Sequence, residues 1–109
     1  MLQQEERAMK GNAMKSIIQN EKECYICGSK ICLEKHHVIH GHGLRPLADK
    51  YGLTVWLCEA HHRGSFGGRE YAVHFNREID LRLKKTAQRA FSARYPDKDF
   101  LTIFGKNYL

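Results

Sequence analysis

The sequence lacks any apolar run that approaches the roughly 20 residues needed to cross a bilayer. Its first residues, MLQQEERAMKG, contain no hydrophobic stretch of the kind found in signal peptides. These two absences argue against a membrane partner and predict a cytoplasmic protein. No internal repeat is found either, which excludes a repeat architecture.

The chain is short and moderately basic. With 109 residues it forms one domain at most, near the size at which a single apolar core is thin and a bound metal adds needed stability. Apolar residues make up 42% and charged residues 28%, which is ordinary for a globular protein and unlike a disordered tail. The net charge of +6 suggests a polyanionic partner. Residues 77–109 hold eight basic and four acidic side chains and carry most of this excess.

Local patterns divide the chain into an N-terminal polar arm, residues 1–22, and a domain, residues 23–109. Gly11 and Asn12 interrupt the helical pattern of the arm, so the arm is expected to be frayed or only partly helical. Short β-prone pieces and two loops are predicted in the first part of the domain. The β-prone pieces lie at 25–26, 37–39 and 53–57, and the loops are HGHGLRPLADKYG (40–52) and RGSFGGRE (63–70).

One long helix is predicted, over residues 76–94. Asn76 is a suitable N-cap, acidic residues follow in the first turn, and Pro96 stops the helix. Its apolar side chains fall on one face and predict core packing: Ile79, Leu83, Ala87, Ala90 and Phe91. The tail FLTIFGKNYL is aromatic and apolar, and we expect it to pack on the domain or on another subunit.

Four metal-ligating residues are spaced as in a tetrahedral zinc site. Cys24 and Cys27 form one pair and Cys58 and His61 form the other, and the two residues inside each pair let a turn direct both side chains at one ion. In a reducing compartment these cysteines favour a structural Zn²⁺ over disulfides. His62 is an alternative to His61, because residues i and i+4 also share a helix face, and spacing alone leaves the choice open.

Imidazoles are too numerous for one zinc site. On a helix, neighbouring side chains point about 100° apart, so the consecutive His61 and His62 are not expected to bind the same ion. A second site beside the first is therefore predicted. Cys32 has no partner at ligand spacing and is expected to be a structural or free thiol. Beyond the first zinc set, the histidines are His36, His37, His40, His42, His62 and His74.

The segments EKHHVI (34–39) and LTVWLCEAHH (53–62) resemble the HNH endonuclease family, in particular its zinc-containing branch and the small nucleases of bacteriophages and prophages. That family has a His-His or Asp-His pair on one strand, a loop, a second strand and the start of a helix. The resemblance covers about residues 23–76. It implies an α+β fold with a ββα-metal (His-Me finger) motif, a structural zinc knuckle and flanking helices. It also implies hydrolysis of DNA phosphodiester bonds, in the host cell cytoplasm if a phage encodes the chain.

The resemblance assigns roles to individual histidines. His37 matches the general base, which takes a proton from the attacking water. His36 and His62 match the ligands of one catalytic divalent metal, which stabilises the charge of the reacting phosphate. His74, in VHFN, is our candidate third ligand. Imidazole ligands favour Mn²⁺, Ni²⁺ or Co²⁺ at least as much as Mg²⁺. The implied products carry 5′-phosphate and 3′-hydroxyl ends.

The sequence departs from the family pattern at one position. Leu53 stands where the family has its middle Asn, and Thr54 is the nearest polar residue. Another residue must then supply the role of that Asn, or activity is reduced. Asn76 is our candidate substitute for orienting the base. His40 and His42 lie in the predicted loop and are expected to contact solvent or phosphate.

Several partners and functions fit these observations. A non-catalytic, zinc-stabilised DNA-binding or recombination accessory protein is favoured by the missing Asn and the basic tail, although it gives no reason for the His36-His37 pair. A second alternative is an interaction subunit that joins a phage packaging assembly, or a homodimer, through the aromatic C-terminus. RNA is an alternative substrate to DNA. Contacts with nucleic acid are predicted for Arg63, Arg69, Arg77 and Lys85.

Overall fold

The computed structural model describes residues 14–109, and this part of the chain forms a small α+β fold. The described residues contain one two-stranded antiparallel sheet and four α-helices, which confirms the predicted α+β class. Two 3₁₀ turns, Arg69–Tyr71 and Val73–Phe75, precede the long helix. The elements in chain order are β1 (Leu33–His37), α1 (Arg45–Tyr51), β2 (Thr54–Cys58), α2 (Glu59–His62), α3 (Arg77–Arg94) and α4 (Phe100–Phe104).

The sheet decides which way the histidines of β1 face. His36 is opposite Val55 and His37 is opposite Thr54 in the antiparallel register. Successive side chains of a strand point to opposite faces, so Glu34 and His36 share one face and Lys35 and His37 share the other. The two histidines of the pair therefore meet different neighbours.

Helix α1 lies inside the segment that the sequence predicted to be a loop, so that prediction was wrong. Pro46 sits in the first turn, where its missing N–H leaves no hydrogen bond unmade. Gly52 ends the helix in the left-handed conformation with φ 73°, and its N–H caps the carbonyls of Ala48 and Asp49. A Cβ at Gly52 would lie 2.6 Å from the backbone oxygen of Lys15, so only glycine fits there. Pro46 and Gly52, both in the predicted loop, thus lie at the start and at the end of a helix.

Helix α3 supplies much of the core and confirms the predicted helix. Asn76 caps it by accepting hydrogen bonds from the N–H groups of Glu78 and Ile79. Leu83, Ala87 and Phe91 on its predicted apolar face are buried. The tail packs back on this helix, because the rings of Phe100 and Phe104 lie 5.4 and 5.7 Å from that of Phe91. Ring contacts of this kind stabilise the core beyond the area they bury.

The predicted N-terminal arm is described only from residue 14 onward, and its residues 1–13 lie outside the described part. Residues 14–22 are not helical. Met14 and Ile17 donate backbone hydrogen bonds to the carbonyls of Asp49 and Gly52, and Ser16 Oγ donates to the carbonyl of Thr54. This segment therefore lies along α1 and β2. Among residues 14–109, none of the helices has the length and hydropathy that crossing a membrane requires.

Candidate functional site

Cys24, Cys27, Cys58 and His61 converge on one point of the fold. Cys24 and Cys27 flank a tight turn in which Gly28 donates its N–H to the carbonyl of Cys24. Cys58 is the last residue of β2, and His61 follows one turn later in α2. The two pairs come together because Tyr25 donates its N–H to the carbonyl of Trp56 on β2, which ties the turn to the sheet.

The distances within this Cys3His cluster suit a tetrahedral metal such as zinc. Ligands about 2.3 Å from a tetrahedral ion are about 3.8 Å apart, and for one sulfur and one nitrogen the separation is about 3.6 Å. The Sγ atoms of Cys27 and Cys58 are 3.8 Å apart. Nδ1 of His61 is 3.3 Å from Sγ of Cys58 and 3.9 Å from Sγ of Cys24. His61, and not His62, is therefore the histidine that accompanies the cysteines. Cys32 is exposed and outside the cluster.

His62 lies instead in a second cluster, with His36 and His74. One nitrogen of each ring lies within 4.8 Å of the others. The Nε2 atoms of His62 and His74 are 3.0 Å apart, which is the separation expected of two nitrogens about 2.1 Å from one ion and at right angles to each other. Strand β1, helix α2 and the 3₁₀ turn Val73–Phe75 each supply one of these side chains. The three residues can therefore hold a metal ion from three directions.

Two histidines of this cluster, His36 and His74, have lowered pKa values. His36 is 2% exposed and its Nε2 has no hydrogen-bond partner. Burial, followed by the nearby imidazoles of which His62 is the strongest, lowers the pKa of His36 to about 3. Burial and the neighbouring His62 also lower the pKa of His74. Neutral imidazole is the form that binds metals, and a buried nitrogen without a partner is the feature that a metal ion would satisfy.

A carboxylate orients His62. Its Nδ1 donates to Oε1 of Glu34 at 2.6 Å, which leaves Nε2 with the free electron pair that faces His74. Arg63 donates to both oxygens of the same carboxylate. The hydrogen bond from His62 lowers the pKa of Glu34. Metal-binding histidines commonly have a carboxylate behind them, and it fixes both the tautomer and the orientation of the ring.

A second carboxylate contacts His37. Nε2 of His37 is 3.0 Å from Oδ1 of Asp49 on α1, and Lys35 Nζ is 3.5 Å from the same oxygen. An ionised carboxylate only accepts, so Nε2 of His37 is the protonated nitrogen and Nδ1 has the electron pair. Leu53 is fully buried. The polar group next to His37 therefore comes from a helix that the sequence did not predict.

Asn76, the sequence candidate for orienting the base, has another role. Its Oδ1 accepts the two N–H groups that cap α3, and its Nδ2 donates to the carbonyl of Glu70. The amide oxygen and one amide hydrogen are thus used at the start of the helix. Asp49 takes the position beside His37 that was predicted for Asn76.

His40, which was expected to contact solvent or phosphate, is partly buried beside the cluster and lines the pocket. Its Nε2 is 3.3 Å from Oδ1 of Asp80, and its ring centroid is 5.7 Å from that of His36. His36, His40 and Asp80 form a second, overlapping set of three groups that could bind a metal. Because both sets use His36, they describe one region of the fold. His42 is exposed, as expected for a loop residue.

A pocket of about 370 Å³ opens over the histidine cluster and has a basic wall. Of the four residues predicted to contact nucleic acid, Arg63 lies in this wall, where Glu34 pairs with it. Arg69, Arg77 and Lys85 lie outside the lining. Positive charge in the pocket suits an anionic ligand such as a phosphate. The lining residues are Lys35, His36, His37, His40, Arg45, His62, Arg63 and His74.

The sequence did not single out the carboxylates Glu34, Asp49 and Asp80, or the basic residues Lys35 and Arg45. One signal was present for Glu34, which precedes His36 by two residues and so shares its strand face. Asp49 and Asp80 approach the histidines only through the tertiary fold. The sequence offered no pattern that would have found them.

Comparisons with protein families, with curated protein sequences and with solved structures return no match for this chain.

Proposed function

We propose that this chain is a metal-dependent endonuclease that hydrolyses DNA phosphodiester bonds. The observation that carries the proposal is the convergence on one basic pocket of three imidazoles, from His36, His62 and His74, with a fourth, His37, held by a carboxylate. Phosphodiester hydrolysis needs a metal site and a base beside a pocket with positive charge, and this pocket has residues for each. The same residues carry the resemblance to HNH nucleases, so the ββα-metal motif is part of the proposal.

In this proposal His36, His62 and His74 hold the catalytic metal. Bound there, a divalent ion supplies charge stabilisation for the phosphate and the leaving oxygen. Glu34 keeps His62 in the tautomer whose Nε2 is free. The nitrogen ligands favour Mn²⁺, Ni²⁺ or Co²⁺ at least as much as Mg²⁺. The Cys3His cluster holds a separate zinc ion that stabilises the fold.

His37 acts as the general base. Its Nδ1 accepts a proton as a water oxygen bonds to phosphorus, the bond from phosphorus to the 3′ oxygen breaks, and that oxygen takes a proton from solvent. The products are a 5′-phosphate and a 3′-hydroxyl. Asp49 holds the ring through Nε2 and stabilises the imidazolium that forms, in place of the family's Asn. Lys35 and Arg45 of the pocket wall attract the phosphate backbone.

A plasmid-nicking assay with added Mn²⁺ tests this function. His37→Ala should bind metal and DNA as the parent chain does but lose about 10²- to 10⁴-fold in cleavage rate, the usual contribution of a general base. Asp49→Ala should lower the rate while leaving metal binding intact. His42→Ala is the matched control, because His42 is an exposed histidine outside the pocket lining. If His37→Ala cuts as fast as the parent chain, the assignment of the base is wrong.

A non-catalytic, zinc-stabilised DNA-binding or packaging accessory protein is the second candidate. The observation that favours it is the buried Leu53 where the resemblance calls for Asn. DNA binding without metal-dependent nicking, in the parent chain and in both variants, would select this function over the nuclease.

A further inference from the structure

Three aromatic side chains stand out of the surface in one short segment. Phe66 is 94% exposed, Tyr71 61% and Phe75 56%, and all three fall within residues 66–75. Among residues 14–109 they are the Phe, Tyr and Trp side chains that are more than half exposed; the next is Tyr25, at 39%. Scattered exposed apolar residues are normal in proteins, but a concentration of large rings in ten residues marks a binding surface.

This aromatic segment borders the histidine pocket. Phe75 directly follows His74, and Tyr71 precedes His74 by three residues. Phe66 follows Arg63 by three residues, which limits their Cα separation to about 11 Å. Each exposed ring is therefore within one to three residues of a side chain that lines the pocket.

The loop that carries Phe66 is tied to helix α2. Gly64 donates its N–H to the carbonyl of Glu59 at 2.9 Å, and Ser65 donates its N–H to the carboxylate of Glu59 at 2.7 Å. These bonds hold the base of the loop against the helix that carries His62. The backbone just before Phe66 is therefore fixed relative to α2.

The arginines and the exposed rings of this segment together favour single-stranded nucleic acid as the ligand. Residues 63–77 contain three arginines and one acidic residue, Glu70. The guanidinium of Arg69 lies 5.0 Å from the ring centroid of Phe75. Cations that contact phosphates beside rings that stack on bases are the features of surfaces for single-stranded nucleic acid. In a duplex the bases are stacked on each other, so exposed rings find no base faces to contact.

We propose that Phe66, Tyr71 and Phe75 form a stacking surface for unpaired bases, and that the substrate led into the pocket is single-stranded DNA or the unpaired part of a branched DNA. This assignment rests on the proposed nuclease function for the cutting step, and it names the substrate class of the same site. The rings bind bases without sequence preference, and Arg69 and Arg77 contact the backbone on either side.

Fluorescence anisotropy tests the stacking surface. The zinc-loaded full chain, without a second metal so that nothing is cut, is titrated into a labelled mixed-sequence oligonucleotide of about 20 nucleotides, longer than the site of one small domain. The same strand in a blunt duplex is the comparison. We expect tighter binding of the single strand, and about a tenfold loss for Phe66→Ala or Phe75→Ala, in the range measured for single base stacks. Ile31→Ala is the control, because Ile31 is 73% exposed and lies outside the segment.

Salt dependence separates stacking from phosphate contact. Phe66→Ala removes no charge, so the slope of log K against log salt should match that of the parent chain. Arg69→Ala should reduce the slope by about one phosphate contact. In Phe66→Trp, the new indole should restore affinity, and its fluorescence should be quenched by the single strand.

The outcomes distinguish this inference from the proposed function. Equal affinity for duplex and single strand, or unchanged affinity in Phe66→Ala and Phe75→Ala, overturns the stacking surface even if the chain nicks plasmids through His37. Loss of self-association in these variants without loss of DNA binding also overturns it, because the rings then serve a protein interface. Stacking-dependent binding without metal-dependent cleavage supports the surface and rejects the nuclease.

Discussion

Replacing Glu34 by glutamine tests how the histidine cluster binds its metal. In the protein, Oε1 of Glu34 accepts from Nδ1 of His62 at 2.6 Å while Oε2 accepts from Arg63. Glutamine carries no negative charge, and its amino group takes the place of one of the two acceptor oxygens, so at least one hydrogen bond from His62 or Arg63 is lost. His62 then loses the anionic partner that fixes its tautomer and strengthens its Nε2 as a ligand.

The expected effect is a 10- to 100-fold weaker affinity of the histidine cluster for a divalent metal, the usual consequence of losing such a partner. This corresponds to about 1.4 to 2.8 kcal/mol of binding free energy. Arg63→Ala should have a much smaller effect, because the side chain of Arg63 is 57% exposed and exposed ion pairs contribute at most about 1 kcal/mol. The carboxylate, and not its pairing with arginine, should determine the affinity.

Isothermal titration of the zinc-loaded chain with Co²⁺ measures this affinity. Absorption in the near ultraviolet reports any exchange of cobalt into the Cys3His cluster, since thiolate ligands give charge-transfer bands that imidazoles lack. Glu78→Gln is the matched control, because Glu78 is an exposed carboxylate in the first turn of α3. If Glu34→Gln binds Co²⁺ as tightly as the parent chain, Glu34 does not support His62 as a ligand, and the metal would have to bind elsewhere.

Two further predictions concern stability. Cys58→Ser should leave the chain largely unfolded, and elemental analysis should find no zinc in it. Structural zinc contributes of order 10 kcal/mol in small domains, which is comparable with the whole stability of a domain. The control is Cys32→Ser, at an exposed cysteine outside the cluster, which should keep both the zinc and the fold. His36→Leu should abolish metal binding by the histidine cluster yet raise the melting temperature of the chain at pH 7, since it removes a buried nitrogen without a partner. The pKa of His36 is lowered from 6.5 to about 3, so the unfolded state takes up this proton first and the parent chain should lose stability as pH falls from about 6.5 towards 3. Thermal melts at several pH values should show a shallower decline for His36→Leu, and an equal decline in both would mean that His36 titrates normally in the folded chain.

The sequence predicted what depends on local spacing. Each ligand pair has two residues between its members, which limits the pair to one turn whose geometry hardly depends on the rest of the fold. The pairs are Cys24 with Cys27 and Cys58 with His61. The long helix was predictable for the same reason, because its cap and its apolar face are local patterns. The choice between His61 and His62 was not predictable, since residues three and four positions after Cys58 both share a helix face with it.

What the sequence could not predict depends on tertiary contacts. Asp49 reaches His37 only because residues 45–51 form a helix, although Pro46 and Gly52 are also typical of a loop. Asp80 reaches His40 across 40 residues, and nothing in the sequence distinguishes it from Glu78, the other acidic residue of α3. Partners of this kind are selected by the packing of whole elements, which no short motif records.

The junction of β2 and α2 places ligands of both clusters within five consecutive residues, Cys58 to His62. His61 and His62 are joined by one peptide bond, so an ion on either side fixes the backbone that the other side needs. Such sites are thermodynamically linked, and the factor by which one ion strengthens binding of the second is the factor by which the second strengthens binding of the first. Where this linkage is favourable, a metal at the histidines would raise the chelator concentration needed to remove the zinc. Loss of zinc would in turn weaken metal binding by the histidine cluster, even when the metal of that cluster is abundant.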